Sequence, residues 1–415
     1  MVNPLRSLAS RVLAITLWLV LVPATPAAAD PDDSASFYDT TGLAVGEPGS
    51  ILRSEPIRPL GNFGTGERVI YSSIDANGTP VAVSGTMLRP HAAWTRGGAR
   101  PAIVMGPGSQ GQGDQCAPSR LMENGVEQSE RGFRVNYDLL FINSFLAQGL
   151  DVFVTDYIGL GTPGVHTYIN RLDQSHAMLD AARAAGGAQR QVAFWGHSQG
   201  GAASGGAAEL AQQYAPELQV AGSFSSAPPG DLLSVVEHLD GTALAPVIGY
   251  ALNGLMERYP QTRAEILPQL NDRGREMLAT VAEQCILDSQ RTFGREDSST
   301  WTVDGRRLVN LFPDAPQAVA LADQQRIGRL VPNAPVMVHA SPVDDFIPFD
   351  QSAALVSDWC AAGATAVLSV DPLPPISPGN GPNHALPAVA GYPAGLQFVL
   401  DRFAGLPVPD ACNAP

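Results

Sequence analysis

The sequence predicts an α/β chain: a mostly parallel central sheet with helices on both faces, interrupted by an inserted helical cap. Three observations predict it. Short apolar runs such as Ala102-Ile103-Val104-Met105 and Val192-Ala193-Phe194-Trp195 alternate with stretches of helical spacing, as βαβ units require. That alternation stops between Asp231 and Leu330, where the pattern is helical throughout. Strand-like sequence returns at Val336-Met337-Val338-His339. A length of 415 residues suits one large domain carrying an insertion, and an apolar fraction of 45% supports a sizeable core.

The elements follow in order. Residues 1–29 read as an export signal: Arg6 and Arg11 supply the positive start, Val12 to Val22 is apolar, and Ala27-Ala28-Ala29 offers a small-residue cleavage site. Eleven apolar residues are too few to span a bilayer, which takes roughly 20 in helical form. Phe37 to Arg58 reads as irregular because of Pro48 and Pro56. Arg68–Asp75 and Pro80–Arg89 read as a hairpin around Ala76-Asn77-Gly78, where Asn-Gly supplies positive φ. Helical spacing is expected over Leu139–Gln148, Gln174–Ala185 and Gly200–Tyr214, with strands at Asp151–Thr155 and Val220–Phe224. The insertion is read as helices over Leu232–Leu239, Thr242–Tyr259, Gly274–Asp288 and Gln317–Arg329. A helix from Gln351 to Ala362, a strand from Thr365 to Val370 and a helix from Ala388 to Phe403 close the chain. The organisation is therefore 1–29 signal, 30–230 first part of the core, 231–330 cap, and 331–415 second part of the core.

Charge and cysteine count narrow the function. All 25 basic residues are Arg, against 40 acids, and the net charge of −15 falls to about −17 once Arg6 and Arg11 leave with the signal. No basic patch exists for a phosphate backbone, so a nucleic-acid partner is excluded. No metal-ligand cluster, P-loop or dinucleotide fingerprint is present, and no cofactor is implied. No obligate protein partner is evident. Cys116, Cys285, Cys360 and Cys412 are even in number and widely spaced, which in an exported chain points to two disulfides. Spacing alone leaves all three pairings open.

The chemistry centres on Gly196-His197-Ser198-Gln199-Gly200, the only G-x-S-x-G in the chain. A strand precedes it and an Ala/Gly-rich helix follows, the setting of a nucleophile elbow, in which the flanking glycines let helix and strand close on a strained serine. A serine hydroxyl needs a base, and the base needs an orienting acid. Downstream lie only His238 in the insertion, His339 within a strand and His384 in a loop before the last helix. His384 is the candidate base. The turn after the strand ending near His339 offers Asp344 and Asp345; spacing to Ile347-Pro348 favours Asp344 and leaves Asp345 as the alternative. Asp350 reads as a helix first-turn acid.

On these residues the chain resembles the secretory lipase family, of the lipase A type with an α/β-hydrolase core and helical cap. The resemblance is carried by Gly106-Pro107-Gly108-Ser109-Gln110-Gly111, Asp114-Gln115-Cys116-Ala117-Pro118-Ser119, Thr155-Asp156-Tyr157-Ile158-Gly159-Leu160-Gly161, the elbow, Asp344 to Pro348 and the segment at His384. It implies a Ser198–Asp344–His384 triad, an oxyanion hole from the backbone amides of Gln110 and Gln199, and the disulfides Cys116–Cys285 and Cys360–Cys412. Fungal members place Asp where Gln110 stands and G-Y-S-G-G at the elbow; the amide donors do not depend on those side chains, although substrate preference can. The expected protein is a secreted serine carboxylic-ester hydrolase of triacylglycerol lipase type, acting on a lipid or small ester with transient contact to a lipid interface. The alternatives are a short-chain esterase or acyltransferase on the same triad, or an inactive exported binding protein. The apolar stretch Leu244 to Met256 either packs the cap onto the core or lines an acyl-chain pocket.

Overall fold

The computed structural model describes residues 33–129, 132–409 and 411–412. The chain divides into two units, Met1–Phe37 and Tyr38–Pro415. Described residues of the first contribute to a short helix, α1 (Asp33–Tyr38); the expected signal over 1–29 lies outside the described residues. No helix among the described residues is long and apolar enough to cross a membrane.

The second unit is built on a nine-stranded sheet. Strands β1 (Ile51–Ile57), β2 (Gly64–Ile74) and β3 (Pro80–Pro90) form an antiparallel meander at one side. The β2–β3 turn works as its sequence demands: Gly78 has φ +80°, and Asp75 Oδ1 accepts from the Asn77 and Thr79 amides at 2.8 and 2.9 Å. β3 runs antiparallel to β7 (Asp151–Thr155). From there β4 (Ala102–Gly106), β8 (Gln191–His197), β9 (Gln219–Ser226), β10 (Val336–Ala340) and β11 (Ala366–Val370) are all parallel. The order is β1-β2-β3-β7-β4-β8-β9-β10-β11, with β5 (Val126–Ser129) and β6 (Gly132–Val135) as a separate hairpin.

Both faces of the parallel part are covered, which is why β4 and Val192 to Trp195 of β8 are apolar without alternation. Along β4, Ala102 and Val104 join the cluster under α3 (Arg171–Ala184) and α4 (Gln199–Tyr214). Ile103 and Met105 join the opposite cluster with α2 (Leu139–Ala147) and the closing helix α12 (Pro382–Phe403). On that second face Trp195 stacks on Phe224 at 4.1 Å and meets Phe145 edge-on at 4.9 Å. Truncating a ring in such a setting costs about 3–5 kcal/mol.

Between β9 and β10 the chain forms α5 (Leu232–Leu239), α6 (Val247–Arg258), α7 (Arg263–Ile266), α8 (Asp272–Val281), α9 (Ile286–Phe293) and α10 (Pro316–Asp323), with short 3₁₀ turns between. These helices have their own apolar core, centred on Ile248, Tyr250, Met277, Phe293 and Trp301. Arg258 of α6 ties them to the sheet layers through ion pairs to Asp75 and Asp173. The Cys116–Cys285 disulfide is a second tie, joining the segment after β4 to the start of α9. The Cys360–Cys412 disulfide pins the chain end to α11 (Phe349–Ala361). Each pair has Cα atoms 5.4 Å apart.

Several local expectations need correction. The stretch read as irregular contains β1, which tolerates Pro56 because it is an edge strand with one side unpaired. The hairpin β5–β6 had no apolar pattern to announce it. The helix expected over Gly274–Asp288 is two helices, broken at residues 282–285 where Cys285 turns to its disulfide. The helix expected from Thr242 begins at Val247, after Pro246. His384 is not in a loop: the last helix starts at Pro382, so His384 lies in its first turn. Proline is favoured at that first position, and Gly381 takes the left-handed φ of +104° that aims the turn.

Candidate active site

Ser198 sits at the junction of β8 and α4 with φ 59° and ψ −122°, a conformation that non-glycine residues rarely adopt. Its amide donates to the Ser226 carbonyl at 2.8 Å, which locks the turn to β9. The glycines around it have physical reasons. A Cβ at Gly196 would collide with the Gly200 carbonyl, one at Gly200 with the Gly106 carbonyl, and one at Gly201 with the Ser226 carbonyl. The motif reading found the first two; the third, Gly201, lies outside the five-residue pattern.

Asp344 follows β10 in a turn closed by its own amide to the Ser341 carbonyl. Its Oδ1 accepts from the Phe346 and Ile347 amides at 2.8 and 3.0 Å, and its Oδ2 accepts from His384 Nδ1 at 2.8 Å. Burial pushes the carboxyl up, but the adjacent His384 and these hydrogen bonds outweigh it, leaving the group below its ordinary value. Asp345 points elsewhere, its Oδ1 accepting from Asn383 Nδ2 at 3.1 Å. The two adjacent acids thus hold two adjacent residues at the start of α12, and it is Asp344 that reaches the imidazole. Phe346 packs against His384 with ring centroids 5.4 Å apart. On another side lies the ring of His197, the residue before Ser198, at 4.6 Å. Elbow and His–Asp pair therefore meet at the same end of the sheet. His339 is buried in β10 with Nδ1 3.0 Å from Ser369 Oγ, and His238 is in the last turn of α5; neither joins this cluster.

Gln110 and Gln199 are both buried. Gln199 is the first residue of α4, where helical amides have no partner of their own. The Gln110 carbonyl accepts from the Ile286 amide at 2.8 Å, and Gly111 pairs with Cys285 in a one-residue bridge. Among the described residues no protein acceptor takes the Gln110 or Gln199 amide. Residues 107–112 are held further by Tyr157, whose hydroxyl donates to the Pro107 carbonyl at 2.8 Å, and by Tyr137, whose hydroxyl donates to the Ser109 carbonyl at 2.8 Å. Sequence reasoning placed Tyr157 in a segment that carries the resemblance but gave it no role, and it missed Tyr137 and the buried His166 beside Gln199, because their contacts are tertiary and leave no motif.

Ser198 opens into an apolar cavity bounded by Ser109, Leu244, Val247, Phe346 and Ile347. A second, larger cavity lies among the helices inserted between β9 and β10 and shares walls with the first at Tyr168, Ile169, Leu232, Val236, Ile248 and Ala251. Leu252 and Leu255 face this larger chamber. Among the described residues no group of three His, Cys, Asp or Glu could hold a metal ion.

The sequence model of the family described as secretory lipase matches residues 124–411. A Mycobacterium tuberculosis protein named a probable inactive lipase is 27% identical over 390 residues, covering 92% of this chain and 84% of its own. Lipase 6 of Candida albicans is 26% identical over 407 residues, again covering 92% of this chain and 84% of its own. The closed state of Candida antarctica lipase A superposes with a TM-score of 0.75 at 22% identity, covering 88% of this chain and 84% of that one. The rice cell wall degrading esterase LipA from Xanthomonas oryzae gives 0.66 at 16% identity, covering 86% and 98%. The solved structures establish the α/β-hydrolase fold. With the family match extending over more than half of its length, the chain belongs to the secretory lipase family.

Proposed function

We propose that the protein is an exported serine carboxylic-ester hydrolase of triacylglycerol lipase type, working through an acyl-enzyme on Ser198. The single observation that carries the reading is the His384–Asp344 hydrogen bond of 2.8 Å beside a serine held at φ 59° on an elbow. Because Asp344 accepts at Nδ1, the neutral imidazole presents Nε2 as an acceptor, the tautomer a general base needs. His384 takes the Ser198 proton as the oxygen attacks the ester carbonyl, then returns it to the departing alcohol. Asp344 stabilises the imidazolium formed between these steps. The Gln110 and Gln199 amides bind the tetrahedral oxyanion, aided by the positive end of α4. Water then deacylates the enzyme by the same proton path in reverse.

The acyl group is proposed to run from Ser198 into the cap. Both cavities are walled by aliphatic side chains, and a chain of methylenes gains about 0.8 kcal/mol for each one buried. This favours a lipid ester over a small one. Residues 1–29 are proposed as the export signal, 30–230 and 331–415 as the core and 231–330 as the cap, and the two disulfides suit an oxidising compartment.

One relative named an inactive lipase keeps a second reading alive, a binding protein on a hydrolase scaffold. Hydrolysis of p-nitrophenyl esters from short to long acyl chains separates the two, together with labelling by an organophosphonate. The hydrolase reading requires turnover, covalent label on Ser198, and loss of both in Ser198→Ala, with a rate deficit on the order of 10⁴- to 10⁶-fold. A folded wild-type protein that neither turns over nor takes the label is a binding protein.

A further inference from the structure

We propose that His166 is a positioning residue for the oxyanion hole, its imidazole anchoring the Gln199 side chain while its loop braces the segment that carries Gln110. The inference rests on the proposed roles of the Gln110 and Gln199 amides and adds the device that holds both in place.

His166 lies in the loop between β7 and α3 and is 2% exposed. Its Nδ1 is 3.1 Å from the Ile158 carbonyl, which can only accept, so Nδ1 carries the proton. Nε2 of the neutral ring is then an acceptor. Gln199 Nε2 stands 2.9 Å away and donates to it. The polarity is fixed along the whole chain, because a reversed Gln199 amide would set two acceptors against each other. Burial holds the imidazole down to about 4, against which the Ile158 hydrogen bond works, so the ring stays neutral at ordinary pH.

The same loop reaches the other donor. Tyr157 stacks on the His166 ring at 5.8 Å and its hydroxyl donates to the Pro107 carbonyl. Tyr168 meets the same ring edge-on at 5.9 Å, with its hydroxyl 2.5 Å from Ser109 Oγ. The His166 carbonyl accepts from Gln112 Nε2 at 2.8 Å. Pro107, Ser109 and Gln112 flank Gln110 on both sides. Tyr157 and Ile169, near the two ends of the loop, have φ of +71° and +63°, strain that the surrounding contacts must hold. One imidazole thus sits between a bond to the residue after the nucleophile and stacking contacts that hold the facing segment. An oxyanion hole works by being organised before charge develops, so loosening either donor lowers the rate of the chemical step without weakening ester binding.

The test is a double-mutant cycle on the full-length protein. His166→Phe keeps a ring between Tyr157 and Tyr168 but removes both nitrogens; Gln199→Met removes the side-chain donor and leaves the backbone amide. With p-nitrophenyl butyrate, each single variant is expected to lower kcat about tenfold with KM within about twofold, a fraction of the loss seen when an oxyanion donor is deleted outright. The double variant is expected to be no slower than the worse single, since either substitution alone already breaks the His166–Gln199 hydrogen bond. Losses that multiply, or a lowered melting temperature with unchanged kcat, would overturn the proposal by making His166 a packing residue. Should His166→Phe fail to fold, Gln199→Met decides alone, and wild-type kcat in that variant overturns the inference. A wild-type protein that hydrolyses no ester and takes no organophosphonate sinks the hydrolase reading and this proposal with it. A labelled, active wild type with an uncoupled cycle sinks only the role of His166.

Discussion

Asp344→Asn removes one formal charge and changes almost nothing in size, yet the geometry around Asp344 dictates a large effect. The carboxylate accepts on both oxygens: Oδ1 from the Phe346 and Ile347 amides, Oδ2 from His384 Nδ1. An asparagine has one acceptor oxygen and must choose. Turning that oxygen to His384 would set its NH₂ against two backbone N–H groups, each a buried donor left unpaired at about 1–3 kcal/mol. Keeping the oxygen on the amides costs nothing there, but aims the NH₂ at Nδ1, which must then be deprotonated and accept. The imidazole proton moves to Nε2, and His384 faces Ser198 as a donor that cannot take a proton. The expected loss in kcat is on the order of 10⁴-fold, about 5 kcal/mol, with little change in melting temperature because every hydrogen bond in the turn survives. Steady-state hydrolysis of p-nitrophenyl butyrate, with active sites titrated by an organophosphonate, measures it. Asp345→Asn is the control: an asparagine there still accepts from Asn383, so kcat should change only a few-fold. An Asp344→Asn variant retaining a tenth of wild-type kcat, or an Asp345→Asn variant slower than it, would refute the reasoning.

Other expectations follow from single contacts. Gly200→Ala should lower activity at least 100-fold and reduce the melting temperature, because its methyl collides with the Gly106 carbonyl at the start of the proposed oxyanion segment; overpacking of this kind costs about 1–3 kcal/mol. Wild-type activity in that variant would mean the elbow is looser than its glycines imply. Leu252→Gln and Leu255→Gln place polar bulk on the larger chamber and should weaken turnover of long-chain esters more than short-chain ones. A parallel fall at both chain lengths, tracking melting temperature, would make these residues packing only. Burial pushes the Asp138 carboxyl up to about 7, against a hydrogen bond from the Gly108 backbone, so the folded state keeps a proton that the unfolded chain releases above about pH 4. Its penalty therefore grows as pH rises from about 4 to 7. Asp138→Asn should accordingly be as stable as wild type at pH 4 and more stable at pH 8, on the order of 4 kcal/mol by denaturant unfolding; equal stability at both pH values would contradict the assignment.

The parts of this molecule that were legible in its sequence are those where local sterics decide. Glycine spacing around Ser198 is such a case, since the elbow excludes side chains at fixed offsets whatever the rest of the chain does. The buried parallel strands are another, because helices on both faces leave no polar positions along β4 or between Val192 and Gly196 of β8. What stayed hidden depends on neighbours distant in sequence. β1 was obscured by Pro56, which only its edge position makes acceptable, and the β5–β6 hairpin has strands of four residues, too short for its Val126, Phe133 and Val135 face to stand out as a pattern. His384 was expected in a loop and lies instead in the first turn of the last helix, which absorbs both Pro387 and Pro393. The His166–Gln199 contact joins residues 33 apart through a loop without periodicity, and no pattern of spacing could have announced it.

The cap then has two parts to play, and the structure keeps them in different residues. Its α5 and α6 side chains Leu232, Val236, Ile248 and Ala251 wall the cavities leading from Ser198, which is a matter of which ester fits. Its α9 and the turn before it brace the proposed oxyanion segment instead. Ile286 donates to the Gln110 carbonyl, the Gln284 carbonyl accepts from Gln112, and Cys285 is bonded to Cys116. Asn253 of α6 adds a hydrogen bond to Gln112 at 2.9 Å. Closing a chain segment 169 residues long, the Cys116–Cys285 link removes about 5 kcal/mol of unfolded-state entropy, so it secures the cap against the core globally while the hydrogen bonds beside it set local geometry. The two functions are separable in principle: damage to the cavity walls changes selectivity, whereas damage at residues 284–286 slows all esters alike. A cap that only covered the site would need the first set of contacts and not the second. That the second set exists, and lands on Gln110 and the residues that follow it, argues that the proposed cap of this family member belongs to the proposed catalytic framework as well as to the walls of the cavities.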